Sequence, residues 1–344
     1  MKHQRVKLRD HKSEVRLFKG RVVAAFSGIL LLTLVLISNL YRLQVNNFEN
    51  YQTRADGNRI KVLPIPPTRG LIYDRNGQLL AENKLVYSLT MIPEQTPDVG
   101  EMLDLLDRII PLSSSEVQRF KRAYRKAKRF KPVTILNNLT EVEIAKFSVH
   151  QYQFPSLSID TSLKRFYPNG EVLTHVLGYV AHINDRDLKR LEEEGKEANY
   201  QATQVIGKLG VERYYEDVLH GTKGYQEVEV NSRGRIVRTL EYVPPVAGKD
   251  IVLNIDLELQ KYVFEQLDHR TGSAVVLDPK DNSVLAMASS PSYDPNLFVD
   301  GISSRNYQRL LNDPARPLVN RTTLGGCRPV TTIKPYMAVA GLQE

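Results

Sequence analysis

The sequence predicts an α+β protein of several domains that is held to a membrane by one N-terminal helix. Three observations lead to this prediction. A basic segment is followed by a long apolar run, helical and strand-like segments then succeed one another without a repeat, and 344 residues are enough for two or three domains. The composition, with 42% hydrophobic and 25% charged residues, is that of a folded chain.

The net charge of +8 is concentrated in the N-terminal tail. Residues 1–21 contain eight Lys or Arg residues and two acidic residues, so the rest of the chain carries only about +2. The body of the protein is close to neutral, and the high pI therefore does not indicate a nucleic-acid partner. The single cysteine, Cys327, excludes an internal disulfide framework and a thiolate-only metal site.

Residues 22–41 read VVAAFSGILLLTLVLISNLY and contain no charge. At about 1.5 Å per residue, a helix of this length crosses the ~30 Å hydrocarbon core of a bilayer. A cleaved signal peptide is the alternative, but its apolar region is about 7–15 residues long and is followed by a small-residue cleavage site. We therefore expect an uncleaved single-pass anchor. The cations that precede it predict that residues 1–21 stay in the cytoplasm and that the chain from residue 42 lies outside it.

Turn signals predict two hairpins. Residues 66–83 contain two short apolar runs on either side of Asn76-Gly77, a pair that tolerates the positive φ of a tight turn. The segments YQEVEV and RIVRTL flank residues 231–234 in the same way.

Two helix starts are predicted by capping boxes, Ser113 with Glu116 and Thr140 with Glu143. The first leads into RFKRAYRKAKRFK, residues 119–131, in which basic residues alternate with aromatic ones. Such a segment is either a polyanion-binding helix or a solvated helix whose aromatic residues face the core. We favour the second interpretation and leave open an electrostatic role against an anionic lipid or polymer.

A helix is also predicted around Val211, Tyr214, Tyr215 and Leu219, which are spaced to share an apolar face. Glu212, on the same segment, is interpreted as a structural ion-pair partner rather than a catalyst.

Residues 243–250 are typical of a linker, and the segments after it predict the start of a second domain. Residues 251–256 favour a strand, Asp256 is suited to cap the helix that follows, and residues 272–296 contain two apolar strands around a turn. A strand, a helix and a hairpin predict an α/β domain with an antiparallel sheet. The histidines are scattered, and no metal-ligand pair or glycine-rich phosphate loop is present, so no cofactor and no metal are expected.

Four motifs carry a resemblance to a known family. In chain order they are RGLIYDRNGQLLA (69–81), GKLGVERYYEDVLHGTKG (207–224), LNIDLELQ (253–260) and AVVLDPKDNSVLAMASSPSYDPN (274–296). Together they resemble the class B penicillin-binding proteins, in particular the penicillin-binding protein 2 type of rod-shaped Gram-negative bacteria. The resemblance covers nearly the whole chain.

The resemblance implies a domain order. A cytoplasmic tail (1–21) and a membrane anchor (22–41) are followed by a periplasmic pedestal or dimerisation domain (42–247). The N-terminal part of a penicillin-binding transpeptidase domain, which resembles β-lactamases in fold, then occupies residues 248–344. The family's location implies the inner membrane.

The implied activity is the cross-linking of peptidoglycan stem peptides through an acyl-enzyme, during lateral wall elongation and the maintenance of cell shape. The implied partners are stem peptides, β-lactams where the site is intact, and the polytopic glycan polymerase that accompanies the family. No cofactor is implied.

The family's nucleophile and base lie in a Ser-x-x-Lys motif. Alignment on Lys334-Pro335 places Thr331 at the nucleophile position and Lys334 at the position of the general base. Residues three apart lie on one helix face, so the amine is placed to accept the hydroxyl proton. Threonine retains the hydroxyl, but its extra methyl restricts χ1 and makes a bulkier nucleophile.

No Ser-x-Asn or Lys-Thr-Gly element follows Lys334 in these residues. We therefore expect a truncated transpeptidase domain and no turnover by this chain alone. A non-catalytic, membrane-anchored scaffold of the elongation machinery is the alternative.

Overall fold

The structure, a computed structural model, describes residues 11–46, 59–96, 98–127, 132–231, 236–268, 270–326 and 333–343. The helices are α1 His11–Tyr41, α2 Val99–Asp107, α3 Ser114–Lys126, α4 Glu141–His150, α5 Thr174–Leu177, α6 Asp185–Glu193, α7 Gly210–Tyr214, α8 Glu216–His220, α9 Leu257–Gln266, α10 Asn296–Val299, α11 Ser304–Asn312, α12 Arg321–Leu324 and α13 Lys334–Gln343. The strands are β1 Ile60–Ile65, β2 Ile72–Tyr73, β3 Leu79–Met91, β4 Val133–Leu136, β5 Leu157–Phe166, β6 Val180–His182, β7 Val205–Gly207, β8 Gly224–Val230, β9 Ile236–Val243, β10 Ile251–Val252, β11 Gly272–Leu277 and β12 Val284–Ser290.

Helix α1 contains the segment that the sequence predicts as a membrane span. Residues 21–44 form a helical stretch that is long and apolar enough to cross a membrane, and none of it is buried against the rest of the described chain. An apolar helix that gains no burial within its own protein is stabilised in lipid, where its backbone groups are already paired. The helix therefore fits a single-pass membrane anchor.

The long strand β3 organises the central sheet. It pairs antiparallel with β5 over ten residue pairs, from Glu82 with Phe166 to Met91 with Leu157. It also pairs with β2 near its start and with β4 near its end, and β10 adds to β2 in parallel. The hairpin predicted within residues 66–83 is confirmed, because β2 and β3 pair across a turn in which Gly77 has a φ of +82°.

Helices α2, α3 and α4 cover one end of this sheet and enclose its first core. Both predicted capping boxes are confirmed, with the side chains of Ser113 and Thr140 accepting from the backbone of Glu116 and Glu143. The fully buried members of this core are Leu89, Met91, Leu106, Ile110, Phe120 and Phe147. The prediction that the aromatic residues of α3 face the core is confirmed for Phe120, which is 1% exposed.

A second sheet has the order β1-β8-β9 and is antiparallel throughout. Its β8–β9 pairing confirms the second predicted hairpin, although residues 232–235 of the turn lie outside the described residues. The sheet joins the strand nearest the membrane helix in the chain, β1, to the segment that precedes the second domain.

The prediction of a single helix with one apolar face around Tyr214 is wrong. The segment forms two short helices, α7 and α8, with a break at Tyr215, and Tyr214 is 82% exposed. Glu212 and Glu216 also face inward, because both carboxylates bind Arg69. Leu219 is buried as expected.

The C-terminal elements share a core with the sheet. The predicted strand at 251–256 is shorter than expected, since only Ile251 and Val252 pair in β10. Asp256 caps α9 as predicted, accepting from Leu259 N–H at 3.1 Å. Strands β11 and β12 form the predicted hairpin. The second core cluster includes Ile72, Leu80, Leu173, Leu177, Ile255, Leu257 and Val299, so it crosses from the sheet to the start of the second domain.

Candidate functional site

The sequence-predicted catalytic pair is only partly described. Lys334 is the first residue of α13, and its side chain is exposed. Thr331 and the approach to it, residues 327–330, lie outside the described residues. The pairing of Thr331 with Lys334 therefore stays a prediction.

The described residues do contain a buried cluster of ion pairs. Arg69, which directly precedes Gly70 and the first hairpin, donates from Nε to Glu212 Oε2 at 2.8 Å. Its two terminal nitrogens donate to Glu216, at 3.1 Å to Oε1 and 2.6 Å to Oε2. Such fork-like pairing fixes the orientation of both carboxylates. Arg69 thereby joins the start of β2 to helices α7 and α8.

A second arginine completes the coordination of Glu212. Arg165, at the end of β5, donates from Nε to Glu212 Oε1 at 2.7 Å and from Nη1 to the Gly70 carbonyl at 2.8 Å. Tyr167 donates its hydroxyl hydrogen to the same Glu212 oxygen at 3.2 Å and accepts from Val180 N–H at 3.0 Å. The Glu212 carboxylate, which is fully buried, is thus bound by two arginines and a phenol.

Glu216 is held from its other side by β7 and the turn before it. Gly207 N–H donates to Glu216 Oε2 at 2.9 Å, and the Tyr200 hydroxyl donates to Oε1 at 3.0 Å. The Tyr200 ring in turn stacks on His220, with ring centroids 4.0 Å apart. All four carboxylate oxygens of Glu212 and Glu216 therefore already accept a hydrogen bond within the cluster.

The protonation states in this cluster are fixed. Burial alone raises the pKa of a carboxyl, but Arg69 and Arg165 outweigh it and hold the pKa of Glu212 below its usual value. Burial likewise lowers the pKa of an arginine, yet Glu212 and Glu216 raise that of Arg69. Burial and the neighbouring carboxylate raise the pKa of Tyr167. Because none of these groups changes charge near pH 7, the cluster is suited to fastening the fold and unsuited to proton transfer.

Sequence reasoning identified only one member of the cluster, Glu212, and interpreted it correctly as an ion-pair partner. Arg69 and Arg165 were not singled out, because they lie 143 and 47 residues from Glu212 in the chain. A local pattern gives no signal for partners at that distance. The one sequence signal that could have linked Arg69 to Glu212 is that both residues lie inside the four family motifs.

A cavity of about 650 Å³ lies where α5 and α7 meet β12 and α12. It is mostly apolar, and its lining includes His175, Val211, Ile255, Met287, Tyr293 and Asn320. Its lining residues contain no carboxylate, lysine or cysteine, and Lys334 is not among them. Among the described residues, the cavity therefore contains no hydroxyl–lysine pair of the kind that the sequence predicts.

His175 lines the cavity, and its pKa is strongly lowered. Its ring meets Tyr293 edge-on at 5.6 Å, and its Nε2 is buried without a hydrogen-bond partner in the part of the chain that the structure describes. Burial lowers the pKa of His175 to about 4, so the ring is neutral at pH 7.

Side-chain amides join the first half of the chain to the second. Asn296 accepts from Tyr167 N–H and donates to the Tyr167 carbonyl, both at 3.0 Å. Gln260 donates to the carbonyls of Val172 at 2.8 Å and Met287 at 3.0 Å. These contacts place β12 and α10 against the segment that follows β5.

Two family models match the chain. Residues 64–253 match the penicillin-binding protein dimerisation domain, and residues 272–344 match the penicillin-binding protein transpeptidase domain. The buried ion-pair cluster lies within the first match, and Lys334 lies within the second.

Curated relatives include the peptidoglycan D,D-transpeptidase MrdA of Haemophilus influenzae, which is 55% identical over 336 residues. That alignment covers 98% of this chain and 52% of the relative. The Escherichia coli K12 protein of the same name is 53% identical over 97% of this chain and 53% of its own length. The chain thus spans about half the length of the curated relatives it matches.

Solved structures give the same result. Penicillin-binding protein 2 of Helicobacter pylori, in its complex with MreC, matches with a TM-score of 0.64 at 29% identity, over 76% of this chain and 48% of that one. Penicillin-binding protein 2 of Pseudomonas aeruginosa, in complex with WCK 5153, matches with a TM-score of 0.51 at 34% identity, over 82% and 42%. The chain belongs to the penicillin-binding protein family, with a dimerisation domain followed by transpeptidase-domain sequence and a helix that fits a single membrane anchor.

Proposed function

We propose that this chain provides the membrane anchor, the pedestal and the start of the catalytic domain of a peptidoglycan D,D-transpeptidase that acts in cell-wall elongation. The observation that carries the proposal is the 55% identity, over 98% of the chain, to a peptidoglycan D,D-transpeptidase. The transpeptidase-domain match over residues 272–344 agrees with it.

In the proposed reaction the hydroxyl of residue 331 attacks the carbonyl of a D-Ala-D-Ala stem peptide. Lys334 accepts the hydroxyl proton, D-Ala leaves, and an amine from a second stem peptide resolves the acyl-enzyme. The start of α13 at Lys334 supports this assignment, since a helix N-terminus favours developing negative charge. With threonine at residue 331 we propose that acylation is slow, because misplacing a nucleophile by about an ångström costs on the order of a hundredfold in rate.

We propose the topology that the charge distribution favours. Residues 1–21 lie in the cytoplasm, residues 22–41 span the inner membrane, residues 42–247 form the periplasmic pedestal, and residues 248–344 begin the transpeptidase domain. Eight cations before the anchor support this orientation. We also propose that the anchor and pedestal bind the polytopic glycan polymerase of the elongation machinery.

Labelling with a fluorescent penicillin tests the reaction. The protein is expressed from its own locus, and membranes are labelled for the unchanged protein and for Thr331→Ser, Thr331→Ala and Lys334→Ala. We expect Thr331→Ser to label more strongly than the unchanged protein, and the two alanine variants not to label. Thr323→Ala, a threonine of α12, serves as a control and keeps the label of the unchanged protein.

A scaffold without catalysis is the second candidate, favoured by the threonine at the nucleophile position. It predicts that neither the unchanged protein nor Thr331→Ser is labelled, while the polymerase still co-purifies. Protease treatment of intact spheroplasts tests the topology, because digestion is expected to remove everything after residue 44 and to spare the N-terminal tail.

A further inference from the structure

Helix α3 carries an unusual concentration of positive charge. Its sequence, SSEVQRFKRAYRK, has five basic residues and one acid, a net charge of +4. The basic residues are Arg119, Lys121, Arg122, Arg125 and Lys126, and all five are exposed. The acid, Glu116, is used at the start of the helix, where its carboxylate accepts from Ser113 N–H at 2.9 Å and from the Ser113 hydroxyl at 2.6 Å. The cations are therefore not neutralised within their own helix.

Neighbouring elements do not neutralise them either. Among the described residues, none of the five cations has a carboxylate within salt-bridge distance, and the one hydrogen bond found for them joins Arg122 Nε to the Gln118 carbonyl at 3.4 Å. Helix α6 shows the contrast, because its sequence DRDLKRLEE has four acids and three bases, and Arg190 pairs with Glu194 on it. The charge of α3 is thus a property of this helix and not of exposed helices in general.

The position of the cations on the helix is fixed by the core. Phe120 is buried, and Val117 and Tyr124 pack against the same hydrophobic cluster. At about 100° per residue, the five cations then follow one another around an arc of about 160° on the opposite side. We call this surface, formed by Arg119, Lys121, Arg122, Arg125 and Lys126, the basic arc. Several of its members are like-charge neighbours three or four residues apart, an arrangement that disfavours a helix unless an anion binds there.

The chemistry of the basic arc points to a water-soluble polyanion. A helix that binds a lipid surface presents large apolar side chains beside its cations. No large hydrophobic side chain of α3 is exposed, so the described surface offers cations without large apolar side chains beside them. Arginine and lysine pair with carboxylates, and peptidoglycan stem peptides carry several free carboxylates along each strand.

We propose that the basic arc of α3 is a non-catalytic binding surface for the acidic stem peptides of peptidoglycan. This inference rests on the proposed function, since it takes the substrate of that reaction as the ligand. The surface holds a glycan strand on the pedestal through ion pairs. The binding is sensitive to salt, because the ion pairs are exposed to solvent.

Co-sedimentation with purified peptidoglycan sacculi tests the proposal. The full chain, in detergent, is compared with the triple variant Arg119→Gln, Arg122→Gln, Lys126→Gln. The matched control is Arg186→Gln, Lys189→Gln, Arg305→Gln, which removes three exposed cations from α6 and α11. We expect the first variant to bind sacculi about tenfold more weakly at low salt, as the loss of three exposed ion pairs predicts, and the control to bind within twofold of the unchanged chain.

Two further binding measurements identify the ligand. With sacculi whose carboxylates have been amidated, the difference in binding between the unchanged chain and the α3 variant is expected to disappear. Vesicles rich in phosphatidylglycerol are expected to bind the unchanged chain and the α3 variant equally. The proposal is overturned if the α3 variant binds sacculi like the unchanged chain, if amidated sacculi bind as well as untreated ones, or if the variant loses vesicle binding instead.

The circular dichroism spectrum and unfolding midpoint of each variant are measured to confirm that it is folded. Failure of this inference and failure of the proposed function are distinguishable, because penicillin labelling depends on residue 331 and not on α3. A protein that is never labelled but loses sacculus binding with the α3 variant contradicts the reaction and supports the binding surface. A labelled protein whose α3 variant binds sacculi normally contradicts the binding surface alone.

Discussion

Arg69 Nε lies 2.8 Å from Glu212 Oε2, although the two residues are 143 positions apart in the chain. The contact is largely buried, and it joins the residue before the first hairpin to α7, one of the helices that precede β8. Arg165 binds the other oxygen of the same carboxylate at 2.7 Å. One glutamate therefore holds together three segments of the region that matches the dimerisation domain.

Replacing Glu212 by glutamine is expected to destabilise the pedestal strongly. The amide keeps the shape of the side chain but leaves Arg165 buried without a carboxylate partner, which typically costs about 3–5 kcal/mol. Urea unfolding of the detergent-solubilised chain, followed by circular dichroism, measures the change.

Glu229→Gln is the matched control. Glu229 pairs with Arg238 at 2.6 Å and with Arg59 at 3.3 Å, but these arginine side chains are 65% and 54% exposed, so only a small loss is expected. Equal destabilisation by the two variants would contradict the role assigned to the cluster.

Gly178→Ala and Gly77→Ala are expected to differ, although both glycines have a positive φ. Gly178 has a φ of +71° and a ψ of −148°, a region open essentially to glycine alone, and a Cβ there would collide with the Leu209 carbonyl. We expect a loss of about 3 kcal/mol or more.

Gly77 has a φ of +82° but open space around it, so its substitution is expected to cost only about 1–2 kcal/mol. Thermal unfolding midpoints compare the two variants. If Gly77→Ala proves the more damaging, the close packing of Gly178 against Leu209 is not what limits substitution.

His175 is expected to make the fold sensitive to mild acid. Burial lowers its pKa to about 4 from an ordinary value of 6.5, so between these values the unfolded chain binds a proton that the folded chain does not. Stability from this group is therefore fully present above pH 6.5 and falls as the pH drops toward 4. Between pH 6.5 and about pH 5 the expected loss is about 2 kcal/mol.

The check is the pH dependence of the unfolding free energy for the unchanged chain and for His175→Gln. The substitution is expected to flatten the curve in this window. The exposed His182, changed to glutamine, serves as the control and leaves the curve unaltered. If the unfolding free energy of His175→Gln falls with pH as steeply as that of the unchanged chain, another group causes the sensitivity to acid.

Asn296→Ala is expected to loosen the junction between the two halves of the chain. The change removes both 3.0 Å hydrogen bonds to the Tyr167 backbone and leaves the Tyr167 N–H without an acceptor among the described residues, whereas the Tyr167 carbonyl still accepts from Gly170 N–H at 3.2 Å. The expected cost is about 1–3 kcal/mol.

Amide hydrogen exchange measures this loss of stability. Faster exchange is expected at Tyr167 and in the residues up to α5. Asn312→Ala, an exposed residue at the end of α11, is expected to leave this region unchanged. Unaltered exchange at Tyr167 in Asn296→Ala would argue that the apolar contacts of the shared core hold the junction without this side chain.

The features that the sequence predicted correctly are local ones. The capping boxes at Ser113 and Thr140 and the turn at Gly77 are each specified by a few consecutive residues, and the structure confirms them. The apolar run in α1 is equally local, since its length and composition alone fit a membrane span. The family was also identifiable, because its motifs are contiguous and occur in a fixed order.

The candidate site could be predicted only in part. The positions of Thr331 and Lys334 follow from a motif of four residues, so sequence alone proposes them. The environment of these two residues depends on segments that are distant in the chain. The spacing of Thr331 and Lys334 gives no information about which segments those are.

By itself the sequence determined the apolar span, the helix caps and turns, and the membership in the family, because each of these depends on neighbouring residues. Tertiary structure alone decided which partners Glu212 has and that Tyr214 faces solvent. It also decided that the cations of α3 lie opposite Phe120, without a carboxylate partner in the part of the chain that the structure describes. The physical reason is that burial and ion pairing depend on which distant segments come together. The Glu212 carboxylate stays charged while buried because two arginines from distant parts of the chain bind it.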